Sequence, residues 1–153
     1  MYYATGMQIS HKSSSNAVFT IRLHIVFVTK YRRPALNEEM IADLKQAFEH
    51  IIAQWRCTLL EFGGQADHVH LLVDIHPALN ISALINNLKS ASSKRVRAKH
   101  WNWLRQFYDK PVLWHRAYYV GSVGNASLET VKHYVQSQGE DMRRKASSRT
   151  PPA

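Results

Sequence analysis

Two histidines one residue apart, His68 and His70, and a tyrosine four residues ahead of a glutamine, Tyr134 and Gln138, are the groups whose types and spacing could do chemistry. In the run Asp67-His68-Val69-His70-Leu71-Leu72-Val73, strand periodicity puts both imidazoles on one face and Val69 and Leu71 on the other. That arrangement can present two ring nitrogens to one cation, imidazole being the commonest metal ligand. A pair of sheet-surface histidines would give the same pattern. The apolar run that follows, however, marks a well-covered strand, where two unpartnered imidazoles would be costly.

On a helix, Tyr134 and Gln138 are neighbours on one face, so a phenol and an amide oxygen can enter one site together. Taken singly, a tyrosine on an amphipathic helix is more often packing. The four groups combined suit phosphoryl transfer, in which an open metal position polarises a phosphate oxygen and a tyrosyl oxygen attacks phosphorus. The products would be a covalent phosphotyrosine and a free 3′ hydroxyl, which can later attack that linkage and rejoin strands without ATP. Two imidazoles leave Zn²⁺ open on ligand softness alone.

These groups need elements to carry them. Ile21 to Thr29 alternates Ile21, Leu23, Ile25 and Phe27 on one face with Val26 and Val28 on the other, and reads as a first, well-covered strand. Asn37 is an N-cap, Glu38 and Glu39 suit the positive end of a helix dipole, and Met40, Leu44, Phe48, Ile51 and Trp55 recur at helical spacing over about 38–55. Cys57 to Phe62 predicts a strand, Gly63-Gly64-Gln65 a turn, and His68 to Ile75 the antiparallel partner strand.

Asn80 then caps a second helix with the stripe Ile81, Leu84, Ile85, Leu88 and Val96, whose later half is crowded with Lys89, Lys94, Arg95, Arg97 and Lys99. A short helix around Trp101 to Leu104, a fourth strand over 112–120, a Gly121 to Asn125 connector and a last helix capped by Ser127 complete the series. The order βαββαβ plus a C-terminal helix predicts an α+β, ferredoxin-like antiparallel sheet, the same architecture as RRM domains. That architecture hosts many functions and settles none.

A chain of 153 residues, 45% hydrophobic, supports one core, expected over 18–145, with polar tails at 1–17 and 146–153. The 20 Lys and Arg against 11 Asp and Glu, a net charge of +9, favour a polyanionic partner. The lone Cys57 reads as an inert core thiol. No signal-peptide pattern opens the sequence and no segment reaches membrane-spanning length, so a cytoplasmic protein is expected, with no membrane partner.

Four stretches taken in order resemble a known family. They are His24-Ile25-Val26-Phe27-Val28-Thr29-Lys30-Tyr31-Arg32-Arg33-Pro34; the Asp67 to Val73 run; Leu88-Lys89-Ser90 with Ser93-Lys94-Arg95; and Tyr119-Val120-Gly121-Ser122-Val123-Gly124 followed by Tyr134 and Gln138. Over roughly 22–140 the chain is similar to the HUH-type single-tyrosine transposases of the smallest bacterial insertion sequences, often called TnpA-like. The resemblance implies a DNA transposase with His68, His70 and Gln138 as ligands of Mg²⁺ or Mn²⁺ and Tyr134 as nucleophile.

It further implies a homodimer in which the tyrosine helix of one subunit completes the site of the other, and a single-stranded DNA substrate with subterminal hairpins. Such a substrate calls for backbone contacts and stacking surfaces. Lys30, Arg32, Arg33, Lys89, Lys94, Arg95 and Arg97 are the nominated DNA contacts, with Tyr31, Trp101 and Trp103 as aromatic candidates. Two rivals share the fold. One is a domesticated relative that processes repeated palindromes without moving its own gene; the other is a non-catalytic RNA-binding module, which would normally display sheet aromatics where this chain has histidines.

Overall fold

The computed structural model describes residues 12–14, 17–19 and 21–123. Two short strands, β1 (Lys12–Ser14) and β2 (Ala17–Phe19), form an antiparallel ribbon that begins in the stretch expected as a polar tail and ends just beyond it. The main sheet holds β3 (Arg22–Thr29), β4 (Thr58–Gln65), β5 (His68–Asp74) and β6 (Trp114–Ser122) in the order β4-β5-β3-β6, every neighbouring pair antiparallel. With α1 (Glu38–Gln54) and α2 (Ile81–Leu104) this is the expected α+β, βαββαβ arrangement. The last helix, with Tyr134 and Gln138, lies outside the described residues, as does the 146–153 tail.

The helix starts follow the sequence. Asn37 Oδ1 accepts from the Met40 amide at 2.9 Å, and Asn80 Oδ1 accepts from the Ala83 amide at 3.1 Å. The apolar stripe of α1 (Met40, Leu44, Phe48, Ile52) and that of α2 (Leu84, Ile85, Leu88, Val96) are buried with Leu23, Ile25, Phe27, Val69, Leu71 and Val73 in one core. Phe27 lies at its centre, 5.9 Å from the Phe48 ring and 5.6 Å from Trp114. Burial of a side chain that size is worth about 1.5–3 kcal/mol.

Two local expectations differ from the structure, and a third is met across a kink. Gly63, Gly64 and Gln65 belong to β4, and the reversal is made by Ala66 and Asp67. Here the glycines serve close approach: a Cβ on Gly63 would lie 2.3 Å from His70 Nε2, and one on Gly64 would press on Val69 and Ile41. The expected short helix around Trp101 is present as the last part of α2, joined to the rest across a kink at His100 (φ −117°, ψ 21°). Finally, Gly121 and Ser122 extend β6 rather than forming a connector, Gly121 pairing with His24; Gly124 and Asn125 lie outside the described residues.

Candidate metal site and nucleic-acid interface

Alternation along β5 sends Val69, Leu71 and Val73 into the helix-covered core, so His68 and His70 point to the opposite face of the sheet. His68 pairs with Val28 and Gln65, His70 with Val26 and Gly63. The missing side chain of Gly63 is the space over which the His70 ring lies. Partial desolvation of the His70 ring, in a residue that is otherwise exposed, and then the neighbouring His68 and His24 push its pKa below the ordinary 6.5, while Glu61 pulls the other way. His70 is therefore a neutral imidazole at physiological pH, the form that donates a lone pair to a metal.

His68 is held differently. Its Nδ1 lies 2.8 Å from Asp67 Oδ1, and Asp67 Oδ2 accepts from Arg32 Nε at 2.6 Å. These contacts, the His68 hydrogen bond first and the Arg32 guanidinium after it, hold the Asp67 carboxyl at about 2 although burial opposes them. The donor set suits a divalent ion: two ring nitrogens on one face, one with its second nitrogen already bonded, the other kept neutral. Gln138 and Tyr134, the remaining expected groups, lie outside the described residues.

Among the described residues one group of three donors is close enough to share a cation: Glu39 and Asp43 on α1 with His100 on α2. It is compatible with a divalent metal. Lys99 Nζ already stands among these carboxylates, 3.0 Å from Asp43 and 3.6 Å from Glu39, and His100 Nε2 lies 2.6 Å from Asp43 Oδ2.

The nominated basic residues divide into three settings. Lys30 and Arg33 line a hollow of about 370 Å³ with Tyr31, Phe107, Tyr108, Asp109 and Lys110. Lys94 and Arg97 flank a shallower groove with Trp101 and Pro111, whereas Arg95 turns toward Gln46 on α1. Arg32 is taken up by Asp67, and Lys89 by the fold: its Nζ donates to the His115 and Arg116 carbonyls, both at 2.8 Å, and lies 5.5 Å over the Tyr118 ring. Burial, with Lys30 nearby, lowers the Lys89 pKa. Trp103 donates from Nε1 to the Ala35 carbonyl at 2.8 Å, so its indole tethers α2 to the stretch before α1.

Sequence reasoning gave no role to Asp67, Gly63, Glu61 or Lys110. An acid directly before the histidine pair was a readable signal for Asp67; the cross-strand register that brings Gly63 under His70 was not.

This sheet, with its histidine pair on one face, is that of a DNA transposase. The chain belongs to the IS200-like transposase family, whose description as Transposase IS200 like matches residues 17–138. It is 29% identical over 130 residues to the transposase for insertion sequence element IS200 of Salmonella typhimurium, covering 85% of this chain and 84% of that protein. To the ISDra2 transposase TnpA of Deinococcus radiodurans it is 25% identical over 132 residues, 86% and 94% of the two chains. A crystal structure from Deinococcus radiodurans R1, assigned as a transposase, superposes with a TM-score of 0.75 at 26% identity, covering 83% of this chain and 97% of that one. Membership implies DNA cleavage and transfer in the transposition of an insertion sequence. No described helix is long and apolar enough to cross a membrane.

Proposed function

We propose that this transposase cuts and rejoins single-stranded DNA at hairpin-bearing ends by transesterification, with Tyr134 as nucleophile. The observation that supports this reading best is the placement of His68 and His70 together on the face of β5 opposite the helices, His70 over a glycine and His68 bonded to Asp67. A divalent ion, Mg²⁺ or Mn²⁺, held by His68, His70 and Gln138, would neutralise charge developing on the phosphoryl oxygens. The Tyr134 oxygen attacks phosphorus, the bond from phosphorus to the 3′ oxygen breaks, and the 5′ phosphate stays on the tyrosine. The released 3′ hydroxyl is the group that later reverses the linkage or joins a new strand.

Backbone contacts come from Lys30, Arg33, Lys94, Arg95 and Arg97, with Lys110 added by the hollow at the end of β3. Tyr31 and Phe107 in that hollow offer rings for unstacked bases. Arg32 and Lys89, nominated with them, also hold contacts within the fold. A homodimer exchanging the tyrosine helix and a cytoplasmic location complete the reading.

Tyr134→Phe is expected to abolish the covalent adduct with a single-stranded hairpin oligonucleotide while gel-shift binding survives, and a chelator should stop cleavage by the unmodified protein. An adduct that persists in the variant would remove Tyr134 from the role of nucleophile.

A further inference from the structure

We propose that Asp67 and Arg32 are positioning residues that fix His68 as the tautomer protonated on Nδ1, so that Nε2 is the nitrogen offered to a cation. The proposal rests on the metal reading of His68 given above. The two ring nitrogens of histidine are not equivalent, and which one carries the proton is set by the bond the other makes. An ionised carboxylate only accepts, so the 2.8 Å contact from Asp67 Oδ1 places a proton on Nδ1 and leaves Nε2 with its lone pair. Asp67 is kept in that acceptor state by Arg32, 2.6 Å from its other oxygen. The pair is half-sheltered, with side-chain exposures of 17% for Arg32 and 23% for Asp67, so it is less screened than a surface ion pair.

The backbone around Arg32 is arranged at a cost. Tyr31 (φ 57°) and Arg32 (φ 51°) both take left-handed conformations, which residues with side chains disfavour. The surrounding bonds over-determine this turn. Thr29 Oγ1 donates to the Arg33 carbonyl at 2.7 Å, Tyr108 Oη donates to the Lys30 carbonyl at 2.8 Å, and the Thr29 and Leu36 amides donate to the Asp67 and Ala66 carbonyls at 2.9 Å each. The 30–33 turn is thereby strapped to the 66–67 reversal, and one result is that the Arg32 guanidinium meets Asp67. A residue meant only for DNA backbone would need neither the strained turn nor the acidic partner. The chain Arg32, Asp67, His68 is thus an outer-shell device of the kind that orients metal-ligating histidines elsewhere.

The test uses the full-length, metal-free protein labelled with ¹⁵N at histidine. Long-range ¹H–¹⁵N correlation spectra of the wild type are expected to show His68 protonated on Nδ1 and bare on Nε2. In Asp67→Ala the ring should shift toward the Nε2-protonated form that an unconstrained histidine side chain prefers, and Mn²⁺ affinity by calorimetry should fall about 10–100-fold. Arg32→Gln, which leaves the Asp67 contact in place, should keep the tautomer and weaken Mn²⁺ less. A wild-type His68 protonated on Nε2, or a tautomer unchanged in Asp67→Ala, would overturn the proposal; the wild-type spectrum decides by itself should a variant not fold. If the tautomer changes as expected but the wild type binds no Mn²⁺, the positioning role stands and the metal reading of the site falls.

Discussion

The molecule contains the same small grouping twice, an aspartate between a histidine and a cation. At the start of β5 it is Arg32, Asp67 and His68; between the helices it is Lys99, Asp43 and His100. The two differ in which nitrogen meets the carboxylate. His68 is bonded through Nδ1, which leaves Nε2, the outer nitrogen of the ring, toward the sheet face that also carries His70. His100 is bonded through Nε2 itself, at 2.6 Å, and is only 8% exposed. The first grouping keeps its outward donor, whereas the second has used it to join α2 to α1. A donor set is therefore not defined by residue types and proximity alone, and a triad compatible with a metal can be a strut.

The largest expected effect comes from removing one histidine of each kind. His70→Ala should reduce cleavage on the order of 10³-fold or more, since a lost ligand forfeits several kcal/mol of charge stabilisation, while stability to urea changes little. His100→Ala should do the reverse. It removes a buried, hydrogen-bonded ring at the break in α2 and should cost about 2–3 kcal/mol of stability, with Mn²⁺ affinity at the sheet unchanged. Urea midpoints and single-turnover cleavage measured on both variants check the pair. Lost cleavage together with retained stability in His100→Ala would make the helix cluster the metal centre.

The histidine pair and the elements that carry it are legible in the amino-acid sequence, whereas the Asp43 and His100 grouping is not. The His68 and His70 alternation, the Asn37 and Asn80 caps and the helical stripes are local patterns, each written within a few residues, and each element lies within a few residues of its expected place. What the sequence hides depends on register and on contacts distant along the chain. Gly63 and Gly64 look like a turn because glycine signals reversal locally; only their pairing with His70 and Val69 shows that they make room. Lys89 and Arg32 look like two more surface cations in a basic chain. Their partners lie at His115, Arg116 and Asp67, which no local pattern connects to them.

Gly63→Ala tests the half of the comparison that belongs to His70. The new Cβ would stand 2.3 Å from Nε2 and 2.8 Å from Cε1, too close for the ring to stay. The obstructing atoms are the far end of a side chain that can rotate, so the fold should hold within about 1 kcal/mol, the exchange of Gly for Ala in a strand being mildly favourable by itself. The ring should leave its place, and Mn²⁺ affinity should fall about tenfold, as for other losses of ligand orientation. Unaltered affinity would mean that His70 binds in another rotamer or does not bind.

The smallest effect expected is on pH. His70 has a pKa below its ordinary 6.5, through partial desolvation first and then repulsion from His68 and His24. Protons compete with a metal for its lone pair, so the proton competition that arises at His70 should set in at lower pH than it would for an ordinary imidazole. The stability of the metal-free protein has the same origin. The unfolded chain takes up the proton before the folded one does, so His70 subtracts stability progressively as pH falls below 6.5. Among the described residues Glu61 is the group that raises this pKa, and Glu61→Gln should move the onset of proton competition at His70 to still lower pH. Calorimetric titrations over roughly pH 5 to 8 resolve this. A His70 ring whose own titration, followed through its ¹⁵N shifts, is centred at or above 6.5 would show that its seat over Gly63 does not lower its pKa.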